Sequence, residues 1–139
     1  MKTFLQLGFA LLVTGNLSAQ APDIEWSQVY GGSNLELMRQ CVLTDDNGYI
    51  LAGNAFSNNG DVNVHYGYAG DGDWWLLKLD SNQHVVWQKT FGGTDDDYLV
   101  GLKQTPDGGY IMVGSVHSNN IQVSFNHGWF DVWVVKIDA

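Results

Sequence analysis

The sequence predicts an all-β protein, because of its turn-forming glycines, its aromatic residues and an internal repeat. Among its 139 residues are 17 glycines, 6 tryptophans, 6 tyrosines and 6 phenylalanines, but only 2 prolines. Glycine permits tight turns and aromatic side chains favour strands, so this composition indicates many short strands. Hydrophobic residues make up 45% of the chain and charged residues 15%, which excludes a disordered polyanion and leaves material for one modest core.

Residues 1–19 have the pattern of a secretory signal peptide. Lys2 supplies a positive start, Phe4 to Val13 is an apolar run, and Leu17-Ser18-Ala19 ends in small residues. The apolar run is too short to cross a bilayer of about 30 Å as a helix, and no later stretch is long enough. We therefore expect cleavage near Ala19, no membrane span, and a secreted, periplasmic or cell-surface protein. The alternative is a buried N-terminal helix.

The charge of the chain restricts its partners. After cleavage, five basic residues face fifteen acidic ones, and so strongly negative a surface excludes nucleic acid as a partner. Cys41 is the only cysteine, so no disulfide can form within the chain.

An internal repeat dominates the sequence. Sliding the chain by 61 residues aligns Trp26 with Trp87, and sliding it by 58 aligns Asp73–Asp80 with Asp131–Asp138. We take residues 24–84 as the first unit and residues 85–139 as the second. The other identical positions are Gly31-Gly32 and Gly92-Gly93, Thr44 and Thr105, Asp46 and Asp107, Gly48-Tyr49-Ile50 and Gly109-Tyr110-Ile111, Gly53 and Gly114, and Ser57-Asn58-Asn59 and Ser118-Asn119-Asn120.

Each unit predicts four antiparallel strands joined by turns rich in Asp, Asn and Gly. In unit order these are Leu37–Thr44 and Tyr98–Thr105, Tyr49–Ala55 and Tyr110–Val116, Asp73–Leu79 and Asp131–Ile137, and, as the fourth strands, Ile24–Tyr30 and Val85–Phe91. The third strand is apolar on both faces, as expected of a sheet that lies between two neighbours.

Four antiparallel strands in about 60 residues, covered on both faces, is typical of one blade of a β-propeller. A Greek-key sandwich is the alternative, although it needs no repeat. The second unit ends before its last strand, and two blades do not close a ring. The chain is then either part of a longer propeller or one of three or four copies that complete it, with Ile24–Tyr30 pairing with Asp131–Ile137 of the same or another copy.

Three stretches of the second unit carry a resemblance to a known family. They are Trp87–Tyr98 (WQKTFGGTDDDY), Thr105–Ile111 (TPDGGYI) and Asp131–Asp138 (DVWVVKID). With them, the chain after Ala19 resembles the tandem repeats of secreted Bacteroidetes proteins. The resemblance implies propeller blades and export, and it brings no catalytic residues with it.

The sequence contains no pattern that indicates catalysis. It has no Gly-rich phosphate loop, no HExxH motif and no cysteine pair. Asp95-Asp96-Asp97 is the densest acidic cluster, and a solvated loop after Gly-Gly explains it better than a pair of glycosidase carboxylates. Cys41 stands opposite Leu102 and His117 opposite Phe56, so both are predicted to be packing residues. We expect no enzyme.

The loop between the second and third strands, where the two units diverge, supplies the candidate binding residues. Aromatic rings stack on the faces of sugars, while nearby carboxylates and amides form hydrogen bonds with the sugar hydroxyls. The candidates for glycan binding are therefore Tyr66, Tyr68, Trp129 and Phe130. The alternative is that these rings pack over blade edges.

Three acidic residues near the same loop, Asp61, Asp71 and Asp73, have oxygens suited to Ca²⁺. Because Asp73 recurs as Asp131, a turn or strand-end role is the alternative. No other cofactor is indicated.

Three functions follow in order of expectation. The first is an exported non-catalytic β-propeller module that serves as a structural or interaction scaffold, with a protein or glycan partner and homo-oligomers among its forms. The second is a glycan-binding lectin assembled from several chains. The third is an accessory segment of a secreted hydrolase.

Overall fold

Seven antiparallel strands form two sheets in the computed structural model, which describes residues 21–139. The first sheet has the order β1 (Glu36–Leu43), β2 (Tyr49–Ala55), β3 (Asp73–Leu79) and β4 (Val85–Phe91). The second has the order β5 (Asp97–Gln104), β6 (Tyr110–Val116) and β7 (Asp131–Ile137). The all-β prediction is confirmed, and residues 21–139 include no helix able to cross a membrane. The predicted signal peptide lies outside the described residues.

The predicted strand bounds agree with the structure for β2, β3, β4, β6 and β7. Strands β1 and β5 begin and end one residue earlier than expected. Both are kinked by a bulge at the same repeat position, Arg39 in β1 and Val100 in β5. A bulge that recurs at the same position is a structural feature of the unit and not an irregularity, because it bends an edge strand without changing the strand with which it pairs.

The prediction of a strand at Ile24–Tyr30 is wrong, since this segment joins neither sheet. Its repeat counterpart, β4, pairs with β3 of the unit before it, whereas no such strand precedes Ile24 in residues 21–139. The segment instead lies against the first sheet. The Trp26 ring centroid is 6.0 Å from that of Tyr49, and the Tyr30 hydroxyl donates to the Gln83 carbonyl at 3.2 Å.

The hairpin turns follow the expected chemistry. Asn47 has φ 61° and Gly108, its repeat counterpart, has φ 83°. Few side chains tolerate this left-handed conformation, and Asn and Gly are the usual ones. Each turn also carries a charged clamp, in which Lys78 Nζ lies 2.8 Å from Asp46 Oδ2 and Lys136 Nζ lies 2.9 Å from Asp107 Oδ2.

The main core lies between the two sheets. The Trp74 ring lies over Gly114, where a Cβ would be 2.6 Å from the indole, and its centroid is 4.8 Å from that of Trp133. Glycine is therefore required at Gly114 for the sheets to approach. The buried side chains of this core are Ile50, Ala52, Trp74, Leu76 and Phe91 from the first sheet and Leu99, Leu102, Tyr110, Met112, Val116 and Val123 from the second unit.

Each sheet has a second face that points away from the core between the sheets, and this face is buried in the first sheet and exposed in the second. On the first sheet, Trp75, Leu77 and Leu79 are fully buried, with Tyr30 and Val62 packed in the same cluster. On the second sheet, the side of β6 and β7 that points away from the first sheet is exposed. We call it the outer face, and its apolar residues are Ile111, Val113, Val132 and Val134.

Cys41 is exposed, so its predicted place in the core is wrong. Leu102, its repeat counterpart, is buried because it points from β5 into the core between the sheets. Cys41 pairs with Leu51 and shares its side of the first sheet, which faces away from the second sheet. Equivalent positions thus differ in burial according to which sheet lies beside them.

Truncation of Leu76 and of its repeat counterpart Val134 tests this arrangement. Leu76 is fully buried, so Leu76→Ala should reduce the free energy of unfolding by about 2–5 kcal/mol. Val134 is 57% exposed in the single chain, so at a protein concentration at which the chain is monomeric Val134→Ala should change the free energy of unfolding by less than about 0.5 kcal/mol. Denaturant unfolding monitored by tryptophan fluorescence measures both, and equal losses would contradict the described packing.

Candidate functional site

Three chain segments meet at one end of the two sheets: the β2–β3 loop (residues 56–72), the β4–β5 turn (residues 92–96) and the β6–β7 loop (residues 117–130). The Gly72 amide donates to Asp96 Oδ1 at 2.8 Å, and the Gln122 side chain donates to the Tyr66 hydroxyl at 3.2 Å. The loops in which the units diverge are therefore neighbours in space, and this end of the molecule is the candidate site.

A repeated carboxylate holds each Gly-Gly turn in place. Glu36 accepts the amides of Gly32 (3.0 Å) and Ser57 (3.2 Å). At the same position of the second unit, Asp97 accepts the amides of Gly93 (2.8 Å) and Ser118 (3.1 Å). Asp97 is fully buried, so the interpretation of Asp95-Asp96-Asp97 as an entirely solvated loop is wrong for its third member.

The three calcium candidates each accept a backbone amide. The partners are Gly31 for Asp61 (2.9 Å), Tyr68 for Asp71 (3.0 Å) and Tyr66 for Asp73 (2.7 Å). In the second unit the uncharged Gln122 accepts the Gly92 amide as Asp61 accepts that of Gly31. Within residues 21–139, no group of three or more His, Cys, Asp or Glu residues is placed to hold a metal ion.

Asp73 and Asp97 converge on Gly92, where a Cβ would collide with Asp73 Oδ1 and Asp97 Oδ2. Burial, together with the nearby carboxylates of Asp97 and Asp71, raises the pKa of Asp73 to about 8, although the hydrogen bond from the Tyr66 amide opposes this. Burial also raises the pKa of Asp97, although hydrogen bonds from Ser118, Gly93 and His117 oppose this. Asp73 is accordingly neutral over much of the pH range in which free carboxyls are charged.

A chain of aromatic rings runs across the same end and joins the two units. The rings are those of Phe56, Tyr98, Phe130, His117 and Trp129, which we call the aromatic row. The successive centroid distances along it are 6.4, 5.8, 5.1 and 5.7 Å. The rings of Phe56, Tyr98 and His117 are half-buried, whereas Trp129 is 79% exposed and Phe130 41% exposed.

The structure brings together two of the four predicted glycan-binding residues. Trp129 and Phe130 both lie against His117. Tyr66 is held by Gln122, and Tyr68 is 84% exposed and joins none of the ring pairs within residues 21–139. The prediction that His117 is a packing residue is confirmed, because its ring lies between those of Trp129 and Phe130.

Sequence reasoning missed Tyr98 and the contribution of Phe56 to the row. The available signal was the pairing of His117 with Phe56 in the repeat, since both precede a Ser-Asn-Asn segment. Gly72 is also part of this arrangement, because a Cβ there would lie 2.8 Å from the Phe56 ring. The repeat counterpart of Gly72 is Phe130. The first unit therefore has no side chain at this position, which leaves room for the Phe56 ring, whereas the second unit supplies another ring of the row.

No protein-family model matches the chain, and no curated protein is significantly similar to it.

The raised pKa of Asp73 predicts a pH-dependent stability. A carboxyl with a raised pKa in the folded state contributes stability that is fully present below its ordinary pKa of 3.8 and is lost as the pH rises to about 8. We expect the free energy of unfolding to fall between about pH 5 and pH 8, and Asp73→Asn to remove most of that fall. Denaturant titrations across this range measure both.

Asp131→Asn is the matched control, because Asp131 is the repeat counterpart of Asp73 but its side chain is 33% exposed. This variant should keep the fall in stability. An unchanged fall in Asp73→Asn would refute the assignment of the pH dependence to Asp73.

Proposed function

We propose that this chain is an exported, non-catalytic module of the β-propeller type that serves as an interaction scaffold. The observation that carries the proposal is the outer face of the second sheet. Its exposed Ile111, Val113 and Val134 occupy the repeat positions of Ile50, Ala52 and Leu76, which the first sheet buries against the second. One unit therefore uses these positions to bind a sheet, and the other unit leaves them uncovered.

The charged clamps support the same conclusion. The two lysines make equivalent bonds, but the Lys78 side chain is 7% exposed and that of Lys136 is 42% exposed. Lys78 is buried because it lies on the side of the first sheet that the second sheet covers. An additional sheet on the outer face would bury Lys136 in the same way.

The partner that fits this face is a second copy of the chain. A contiguous apolar sheet surface lowers its free energy by leaving water, and symmetric pairing covers it on both copies at once. The other side of the first sheet is less available, because Trp75, Leu77 and Leu79 are already buried there. The face also carries Lys103 and Lys136, which reduces repulsion between two copies of a chain with net charge −9.

A charge placed on the outer face tests the proposal. Val134→Glu should convert an oligomer to a monomer in light scattering, because a carboxylate buried between two apolar faces costs several kcal/mol. Val86→Glu is the matched control, since Val86 is also a strand residue and is 58% exposed against 57% for Val134. It should leave the mass unchanged.

We expect a dimer of the unaltered protein. A trimer or tetramer that Val134→Glu dissociates would support instead a ring completed by three or four chains, which the sequence also predicts. A monomer at micromolar concentration would refute self-association through this face.

A further inference from the structure

Trp129, at the exposed end of the aromatic row, has a backbone conformation that the packing of its own ring does not explain. Trp129 has φ 61°, a left-handed backbone conformation that is rare and energetically costly for a large side chain. At 79% exposure its ring recovers little of that cost through burial. Strain that packing does not compensate points to a role at the surface.

A buried asparagine holds Trp129 in this conformation. The Asn126 side-chain amide donates to the carbonyls of Val116 and Trp129, both at 3.0 Å, and its oxygen accepts the Gly128 amide at 2.7 Å. The backbone amide of Asn126 in turn donates to Asn119 Oδ1 at 3.0 Å. The turn that presents Trp129 is thus fixed from beneath, so a ligand would meet rings that are already ordered.

The chemistry around the row selects the class of ligand. Asp96 lies beside the row, because its carboxylate accepts the Gly72 amide at 2.8 Å and its backbone carbonyl accepts the amide of His117, a member of the row, at 3.1 Å. The chain carries a net charge of −9, which disfavours anionic ligands. Ring faces next to hydrogen-bond acceptors suit an uncharged molecule that has apolar C–H faces and hydroxyl groups at its edges.

We infer that the aromatic row binds an uncharged pyranose chain, with Trp129 and Phe130 as the stacking residues and Asp96 as a hydroxyl acceptor. The Phe130 ring packs on those of Tyr98 and His117, with centroids 5.8 and 5.1 Å away and planes inclined by 35° and 33°, so the exposed rings of the row are those of Trp129 and Phe130. An extended β-linked glucan has apolar faces on both sides of each sugar ring and suits stacking on these two side chains. The inference concerns the loop end of the molecule and does not depend on self-association through the outer face.

Calorimetric titration of the purified full chain with cellohexaose tests the inference. Stacking on exposed rings should give binding, and Trp129→Ala should weaken it at least tenfold. Tyr68→Ala is the matched control, because Tyr68 is 84% exposed on the neighbouring loop but lies outside the row. It should change the affinity less than twofold.

Trp129→Gly separates binding from folding. Glycine accepts the left-handed conformation without strain, so this variant should melt at a higher temperature than the unaltered protein while losing affinity for cellohexaose as Trp129→Ala does. A loss of binding that accompanied a lower melting temperature in both variants would overturn the direct role of the ring.

Two other results would overturn the inference. One is the absence of binding by the unaltered protein at millimolar cellohexaose. The other is binding of tetramethylammonium instead of cellohexaose, which would assign the row to organic cations, the other ligands that aromatic rings recognise.

Discussion

The packing of one sheet face on another is the interaction on which the rest of this structure depends. Both sides of a unit's central strand are apolar, so each sheet gains stability only when it is covered on both faces. The contact of Trp74 with Gly114 and Trp133 provides one such cover and fixes the distance between the two sheets. Whether the side chain at a given repeat position is buried then depends on which sheet lies beside it and not on the local sequence.

The loop end illustrates how a repeated fold carries a surface that is not repeated. Glu36 and Asp97 hold equivalent Gly-Gly turns with equivalent bonds, so the two units place their long loops in the same way. The loops that these turns place equivalently differ in their residues, and one position has Gly72 in the first unit and Phe130 in the second. The aromatic row arises because the units are adjacent, since Phe56 of the first unit reaches Phe130 of the second through Tyr98.

Much of the fold could be predicted from the sequence, because local signals and the repeat agree at most strands. Strand alternation and Asp-Asn-Gly turns located β2, β3, β4, β6 and β7 with the bounds that the structure has. The prediction at Ile24–Tyr30 was wrong because a strand needs a partner, and the repeat does not show whether one is present. Cys41 was wrongly placed in the core for a related reason, since its alignment with Leu102 does not show which residues cover each side of β1.

The candidate site was predictable only in part. Divergence between the units pointed to the correct loops and to Trp129 and Phe130, but not to Tyr98, which lies on a strand and joins the row through tertiary contacts. The burial of Asp73 and Asp97 was also hidden, because an acid next to glycine has the same local pattern whether it is solvated or enclosed. Their raised pKa values come chiefly from burial, which depends on how the strands and loops pack together.

The sequence by itself determined the strand content, the turns, the two-unit organisation and the position of the variable loops, because these depend on the period of side chains along the chain and on residues with special backbone freedom. The tertiary structure decided which sheet face is covered, which carboxyl is buried and which rings meet. These properties arise from contacts between residues that lie far apart in sequence, and no local pattern encodes how closely such residues approach.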